Sequence, residues 1–120
     1  MILVDTSIWI DHFRRGNAAL AGLLESGLVC THNFVIGELA SSNLRSRAEV
    51  PGLMQALPRL VSATEEEALR FIEERQLMGR GIGYIDVHLL AATIIEGARF
   101  WTKDGSLKGV AEQTGCGHPT

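Results

Sequence analysis

The sequence predicts an α/β protein built on a short, mainly parallel sheet with helices on both faces. Three observations carry that prediction. Short runs of branched and aromatic residues alternate with longer segments of helical character, the order that builds parallel sheets rather than hairpins. The segment 84–96 is apolar on nearly all sides, as a helix covered by a sheet or a partner must be. Two runs deliver an aspartate at their carboxyl end, Asp5 after residues 1–4 and Asp104 just beyond residues 98–102, and parallel sheets build their sites at that edge.

The elements follow in order. Residues 1–5 are too short and too branched to form a helix alone, and 7–15 read as a short helix carrying Ile8, Trp9, Ile10 and Phe13. Asn17 is placed to cap a helix over 18–26, with Gly27 just past its end and a second strand over 28–31. A helix over 34–44 loosens at Ser41, Ser42 and Asn43. Pro51 suits the first turn of a helix that Pro58 ends, and 59–61 read as a weak strand. Thr64 and Glu67 form a capping box for a helix running to about Met78, before Gly79. Gly79, Gly81 and Gly83 connect it to the apolar helix 84–96, and a strand over 98–102 leads to a last helix, 106–113.

Nothing in the chain divides it: there are no repeats, low-complexity tracts or Pro/Ser-rich linkers, so one domain over 1–120 is expected. A 46% apolar, 21% charged composition is globular, no apolar run approaches a membrane span, and the apolar start lacks the basic and small-residue flanks of a signal peptide. A cytoplasmic location is expected. Cys30 and Cys116 lack C-x-x-C spacing and read as inert thiols. The net charge of −3 looks wrong for a protein that handles nucleic acid, but setting aside Asp5, Glu38, Asp86 and Asp104 turns it to +1.

Ordinary explanations come first. Asp5 can cap the helix that follows it, and Asp86 complements the positive end of its own helix by ~0.3–1 kcal/mol. Asp104 has the same placement as Asp5, just beyond an apolar run. Glu38 is harder to dismiss, because Phe34, Val35, Ile36, Leu39 and Ala40 surround it and an unpaired buried carboxylate costs several kcal/mol or goes neutral. The strand ends of a parallel sheet share one edge, so the acids converge. A cluster of carboxylates needs shared protons or a cation, and oxygen ligands without a His or Cys shell favour Mg²⁺ or Mn²⁺ over zinc. Such a site can polarise a phosphate and activate water.

Four segments then resemble a known family: M-I-L-V-D-T-S-I-W-I-D-H at the start, F-V-I-G-E-L-A around Glu38, G-Y-I-D-V-H-L-L around Asp86 and F-W-T-K-D-G-S-L around Asp104. Together they look like a PIN-domain ribonuclease, and within that family like the VapC toxins of bacterial toxin–antitoxin pairs. The resemblance covers nearly the whole chain. It implies a three-layer α/β/α sandwich and Mg²⁺- or Mn²⁺-dependent cleavage of RNA leaving a 5′-phosphate and a 3′-hydroxyl. Asp5 and Asp86 are the implied metal ligands, Asp104 completes the cluster, Glu38 positions water or metal, and Thr6 or Ser7 supports them. Gly105-Ser106 follows Asp104, so no further acid stands there for a second metal ion. Implied partners are an RNA substrate, a VapB-like antitoxin reaching into the acidic groove, and a second copy of the chain. The region 34–57 is the expected docking face.

Other polar residues read more plainly. His88 lies two residues from Asp86 on a helix and so points elsewhere; His12, His32 and His118 are assigned no role. Trp9 and Trp101, among apolar neighbours, are expected in the core. The basic residues are dispersed, as solvated faces are, although Arg14, Arg15, Arg45, Arg47, Arg75, Arg80, Arg99, Lys103 and Lys108 can also border a groove that holds RNA. Two competing readings are a catalytically silent binding module on the same scaffold and an aspartate-dependent phosphatase. The second is disfavoured because Ser7 stands where a D-x-D motif needs its second acid.

Overall fold

The computed structural model describes residues 1–119. Its elements are β1 (Ile2–Val4), α1 (Thr6–Arg15), α2 (Ala18–Glu25), β2 (Val29–Cys30), α3 (Asn33–Ala40), a 3-10 helix (Arg45–Glu49), α4 (Val50–Gln55), α5 (Glu65–Arg75), α6 (Tyr84–Ile95), β3 (Arg99–Trp101) and α7 (Gly105–Gln113). The three strands are parallel in the order β2-β1-β3, with Leu3 opposite Cys30 on one side and Phe100 on the other. From β1 the chain crosses one way to β2, then back past β1 to β3. Right-handed crossovers in opposite directions put helices on both faces of the sheet.

The core follows from the strands. Leu3, Val4, Trp9, Leu20, Val35, Leu39, Leu89, Leu90 and Phe100 are all fully or almost fully buried. α6 is apolar on nearly every side, and Val87 to Thr93 are buried without a break. Trp9 stacks on Phe13 and Trp101 sits against His118, so both tryptophans pack inside as expected. Cys30 and Cys116 are buried and free, and burial pushes the Cys30 thiol up to about 11.

Three boundaries differ from expectation. The residues 59–61 form no strand; a single parallel bridge joins Arg59 to Thr31, whose N–H donates to the Pro58 carbonyl. The expected helix 34–44 stops at Ala40, where Ser41 and Ser42 turn their hydroxyls back onto the Gly37 and Leu39 carbonyls. α5 ends at Arg75, not near Met78, because Gln76 adopts a left-handed conformation with φ of 53° and turns Leu77 back into the core. The capping box of Thr64 and Glu67 forms as the sequence implies, with both reciprocal bonds present. Beyond α7 the tail returns to the sheet, and Gly117 bridges Phe100 in parallel.

Candidate active site

The order β2-β1-β3 places a crevice at the carboxyl ends of β1 and β3, where the crossovers leave in opposite directions. Asp5 follows β1 directly and Asp104 follows β3 by two residues. Glu38 comes from the last turn of α3 and Asp86 from the first turn of α6. Asp86 lies within electrostatic reach of Asp5, Glu38 and Asp104, and Glu38 within reach of Asp5. Burial pushes the Glu38 carboxyl up, the Thr6 hydroxyl pulls it down, and the Asp5 and Asp86 charges push it up further. Burial likewise raises Asp86, against the Gly83 N–H and with Asp5 and Asp104.

Each carboxylate is held by one oxygen. Asp5 makes no side-chain cap to α1; its Oδ2 accepts instead from the Ser7 hydroxyl at 2.8 Å and the Thr102 hydroxyl at 2.7 Å. Glu38 Oε1 accepts from Thr6 Oγ1 at 2.7 Å. Asp86 Oδ2 accepts from the Gly83 N–H at 3.1 Å, and Asp104 Oδ1 from the Leu107 N–H at 3.1 Å. Asp104 thus caps α7 through one oxygen, and Asp86 engages the N-terminus of α6 through one, in keeping with its place at the positive end of that helix. The second oxygen of each of the four acids has no partner among the described residues.

That arrangement fits a hard divalent cation. The donors are oxygens whose orientation is fixed by protein hydrogen bonds, and a cation would relieve the repulsion that adds to burial in raising Glu38 and Asp86. Among the described residues, no three or more His, Cys, Asp or Glu side chains stand close enough together to hold a metal ion between them. An open set suits a cation that keeps water and takes substrate oxygens.

Thr102 is the residue that sequence reasoning left without a role. It is 5% exposed, donates to Asp5 and accepts the Asp104 N–H at 3.1 Å, so one hydroxyl ties the acid after β1 to the acid after β3. A hydroxyl two residues before an aspartate at a strand end is the signal that marks it. Ser7 extends the link: its Oγ lies 3.3 Å from Thr102 Oγ1 and accepts the Lys103 N–H at 3.0 Å.

The histidines stay outside. His88 packs edge-on between Phe34 and Tyr84, and its buried Nδ1 has no partner among the described residues. His32 does not reach the acids; it caps α3 through the Phe34 N–H, bonds Ser62, and is held down to about 4 by burial and then by His88. His12 accepts the Asn17 N–H that turns the chain into α2.

The site is flanked asymmetrically. On the α3/α6 side an apolar hollow lined by Phe34, Gly37, Ser41 and Ile85 adjoins Thr6 and Glu38. On the α1/α7 side two grooves share Asp11 and Lys103, one reaching Ser7 and the other Thr102. A further groove lies between α5 and Ala91 to Ile95, the end of α6 remote from Asp86.

Fold and site together define a class: a small α/β/α protein with acids from two strand ends and two helices gathered at one edge of a parallel sheet. The chain belongs to the PIN-domain family, whose model matches residues 2–113. Among curated relatives, Ribonuclease VapC32 of Mycobacterium tuberculosis, from strains CDC 1551 and H37Rv, is 40% identical over 116 residues, 96% of this chain and 94% of the relative. Solved structures share the fold at lower identity. PAE2754 of Pyrobaculum aerophilum matches at a TM-score of 0.67 and 16% identity, over 91% of this chain and 78% of that one. The sarcin-ricin loop cleaving toxin VapC20 of M. tuberculosis matches at 0.61 and 20%, over 97% and 96%. FitAcB of Neisseria gonorrhoeae matches at 0.62 and 18%, over 93% and 94%.

Proposed function

We propose that this protein is a metal-dependent endoribonuclease, the toxin of a toxin–antitoxin pair, which hydrolyses RNA phosphodiester bonds. The observation that carries this reading is the gathering of four half-engaged carboxylates in a chain 40% identical to Ribonuclease VapC32. Asp5 and Asp86 are the residues to hold Mg²⁺ or Mn²⁺ through their unengaged oxygens, with Asp104 beside them directly or through water. When bound, such an ion offsets phosphate charge and makes a bound water more acidic. Glu38, raised by burial and neighbouring charge, is suited to orient the attacking water and take its proton, with Thr6 fixing its carboxyl plane. Ser7 and Thr102 hold Asp5. In-line attack leaves a 5′-phosphate and a 3′-hydroxyl.

The same reading supplies partners. An antitoxin of the VapB type would seat an apolar segment on the hollow of Phe34, Gly37, Ser41 and Ile85 and extend a basic side chain among the acids; the protein is further proposed to form homodimers. Alanine substitutions along 34–57 that leave antitoxin affinity unchanged would remove that docking face. The catalytic reading is tested by mapping 5′ ends of cellular RNA after brief expression. New ends that appear with the native protein, require Mg²⁺ or Mn²⁺ in vitro and vanish with Asp5→Asn support it. The same ends from Asp5→Asn, or none from either protein, overturn it.

A further inference from the structure

The α1/α7 side of the acids carries more cationic groups than its local structure uses. Arg14, Arg15, Lys103 and Lys108 are exposed along two adjoining grooves, against one carboxylate, Asp11, in the lining. Asp11 is already occupied: its Oδ1 accepts from Arg15 Nε at 3.0 Å and lies 3.2 Å from Lys103 Nζ, and its Oδ2 accepts from Asn17 at 3.2 Å. Those cations hold the Asp11 carboxyl at about 2, so it stays charged. Arg14 and Lys108 make no side-chain hydrogen bond or ion pair among the described residues.

Position gives this surplus its meaning. Lys103 precedes Asp104, and its N–H donates to the Ser7 hydroxyl that donates to Asp5, so the loop is fixed to α1 at its backbone. A free ammonium on that loop would swing toward the acids and compete with a cation there. The ion pair to Asp11 draws it the other way, along the grooves. One groove reaches Ser7 and the other Thr102, each a single hydrogen bond from Asp5.

We propose that this flank is a backbone track for single-stranded RNA, on which Arg14, Lys103 and Lys108 contact phosphates next to the one being cut. This rests on the ribonuclease reading. The hollow on the opposite flank has no cation in its lining, so the strand enters with its phosphates toward the α1/α7 side.

The test measures binding of a single-stranded RNA oligonucleotide to full-length protein carrying Asp5→Asn, across a range of salt. Adding Arg14→Gln and Lys108→Gln should reduce the slope of log affinity against log salt by about 1.4, and Lys103→Gln should bring the loss to about 2, at roughly 0.7 per phosphate contact. In the active protein the Arg14→Gln, Lys108→Gln pair should raise KM about five- to ten-fold with kcat held. Arg70→Gln with Arg75→Gln, at the remote groove, should change neither. An unchanged slope while the native protein still cuts RNA overturns the track and leaves the nuclease reading standing. A reduced slope without cleavage by the native protein overturns the nuclease reading and, with it, a track placed beside a cut phosphate; neither binding nor cleavage overturns both.

Discussion

The two flanks of the acidic crevice are built from opposite materials. On the α3/α6 side, Glu38 and Asp86 stand on helices, partly desolvated, beside Phe34, Tyr84, Ile85 and the ring of His88, whose Nδ1 has no partner among the described residues. On the α1/α7 side, Asp5 and Asp104 stand at strand ends, tied together by the Thr102 hydroxyl and bordered by exposed cations. The dry flank raises the proton affinity of its acids, whereas the wet flank fixes its acids by hydrogen bonds from Ser7, Thr102 and Leu107, with cations lining the grooves that reach Ser7 and Thr102. On the proposed function, the contrast would divide the labour of phosphodiester chemistry: one side to manage protons, the other to place phosphates.

The sharpest way to break that contrast is to remove a carboxylate that serves both sides. Asp5→Asn should cut the rate of RNA cleavage by on the order of a thousand-fold, as losing one fixed group at a charged reaction centre does. Its metal-free thermal midpoint should hold or rise, since repulsion on Glu38 and Asp86 is relieved; a fall in both together would make Asp5 a structural residue. Thr102→Val comes next. It orphans the Asp104 N–H and strips one donor from Asp5, so unfolding free energy should fall by about 1–3 kcal/mol and kcat by roughly ten- to a hundred-fold. Thr102→Ser should restore most of both, and Glu38→Gln should not mimic it in chemical denaturation.

Asp11→Asn probes the wet flank alone and should act more weakly. With Lys103 released toward the acids, the Mg²⁺ concentration for half-maximal cleavage should rise about three-fold, and Lys103→Gln in the same protein should reverse that rise. A metal response unchanged by Asp11→Asn would leave the ion pair without a role at the site. The smallest effect is in pH-dependent stability. The raised Glu38 and Asp86 contribute stability that is full below the ordinary carboxylate range and is lost as pH rises through their raised values. Metal-free protein should therefore lose a few degrees of thermal midpoint across that window, Glu38→Gln should flatten the loss, and Mg²⁺ should offset it more at the higher pH. Asp11 works in the opposite sense, contributing stability above the ordinary range that is lost as pH falls toward about 2.

Much of this was legible from the chain. The strand ends before Asp5 and Asp104, the cap at Asn17, the capping box at Thr64 and the buried helix carrying Asp86 all follow from local pattern. What escaped depends on tertiary partners. Residues 59–61 have strand-like composition, but with Pro58 ahead of them they form only one bridge. Gln76 carries no sequence mark of a helix end; the burial of Leu77 decides it. Thr102 looks like an ordinary strand residue until Asp5, 97 positions away, lies on its hydroxyl. Asp11 and Lys103 likewise mean little apart, and their pairing exists only because β3 lies beside β1.

The two single-residue bridges at the margins of the sheet have a consequence for how this small protein survives in a crowded cell. A three-stranded parallel sheet has two bare edges, each a template on which another chain can add a strand. Here Arg59 closes the β2 side, aided by Pro58, which has no N–H to offer, while Gly117 and its neighbours close the β3 side, the Phe100 N–H donating to Cys116 and the His118 N–H to the Phe100 carbonyl. The tail after α7 is thus a selvedge that keeps the weave from being extended. Shortening it before Cys116 would leave the acids and their hydroxyls in place, yet expose a strand of arginine, phenylalanine and tryptophan to self-association.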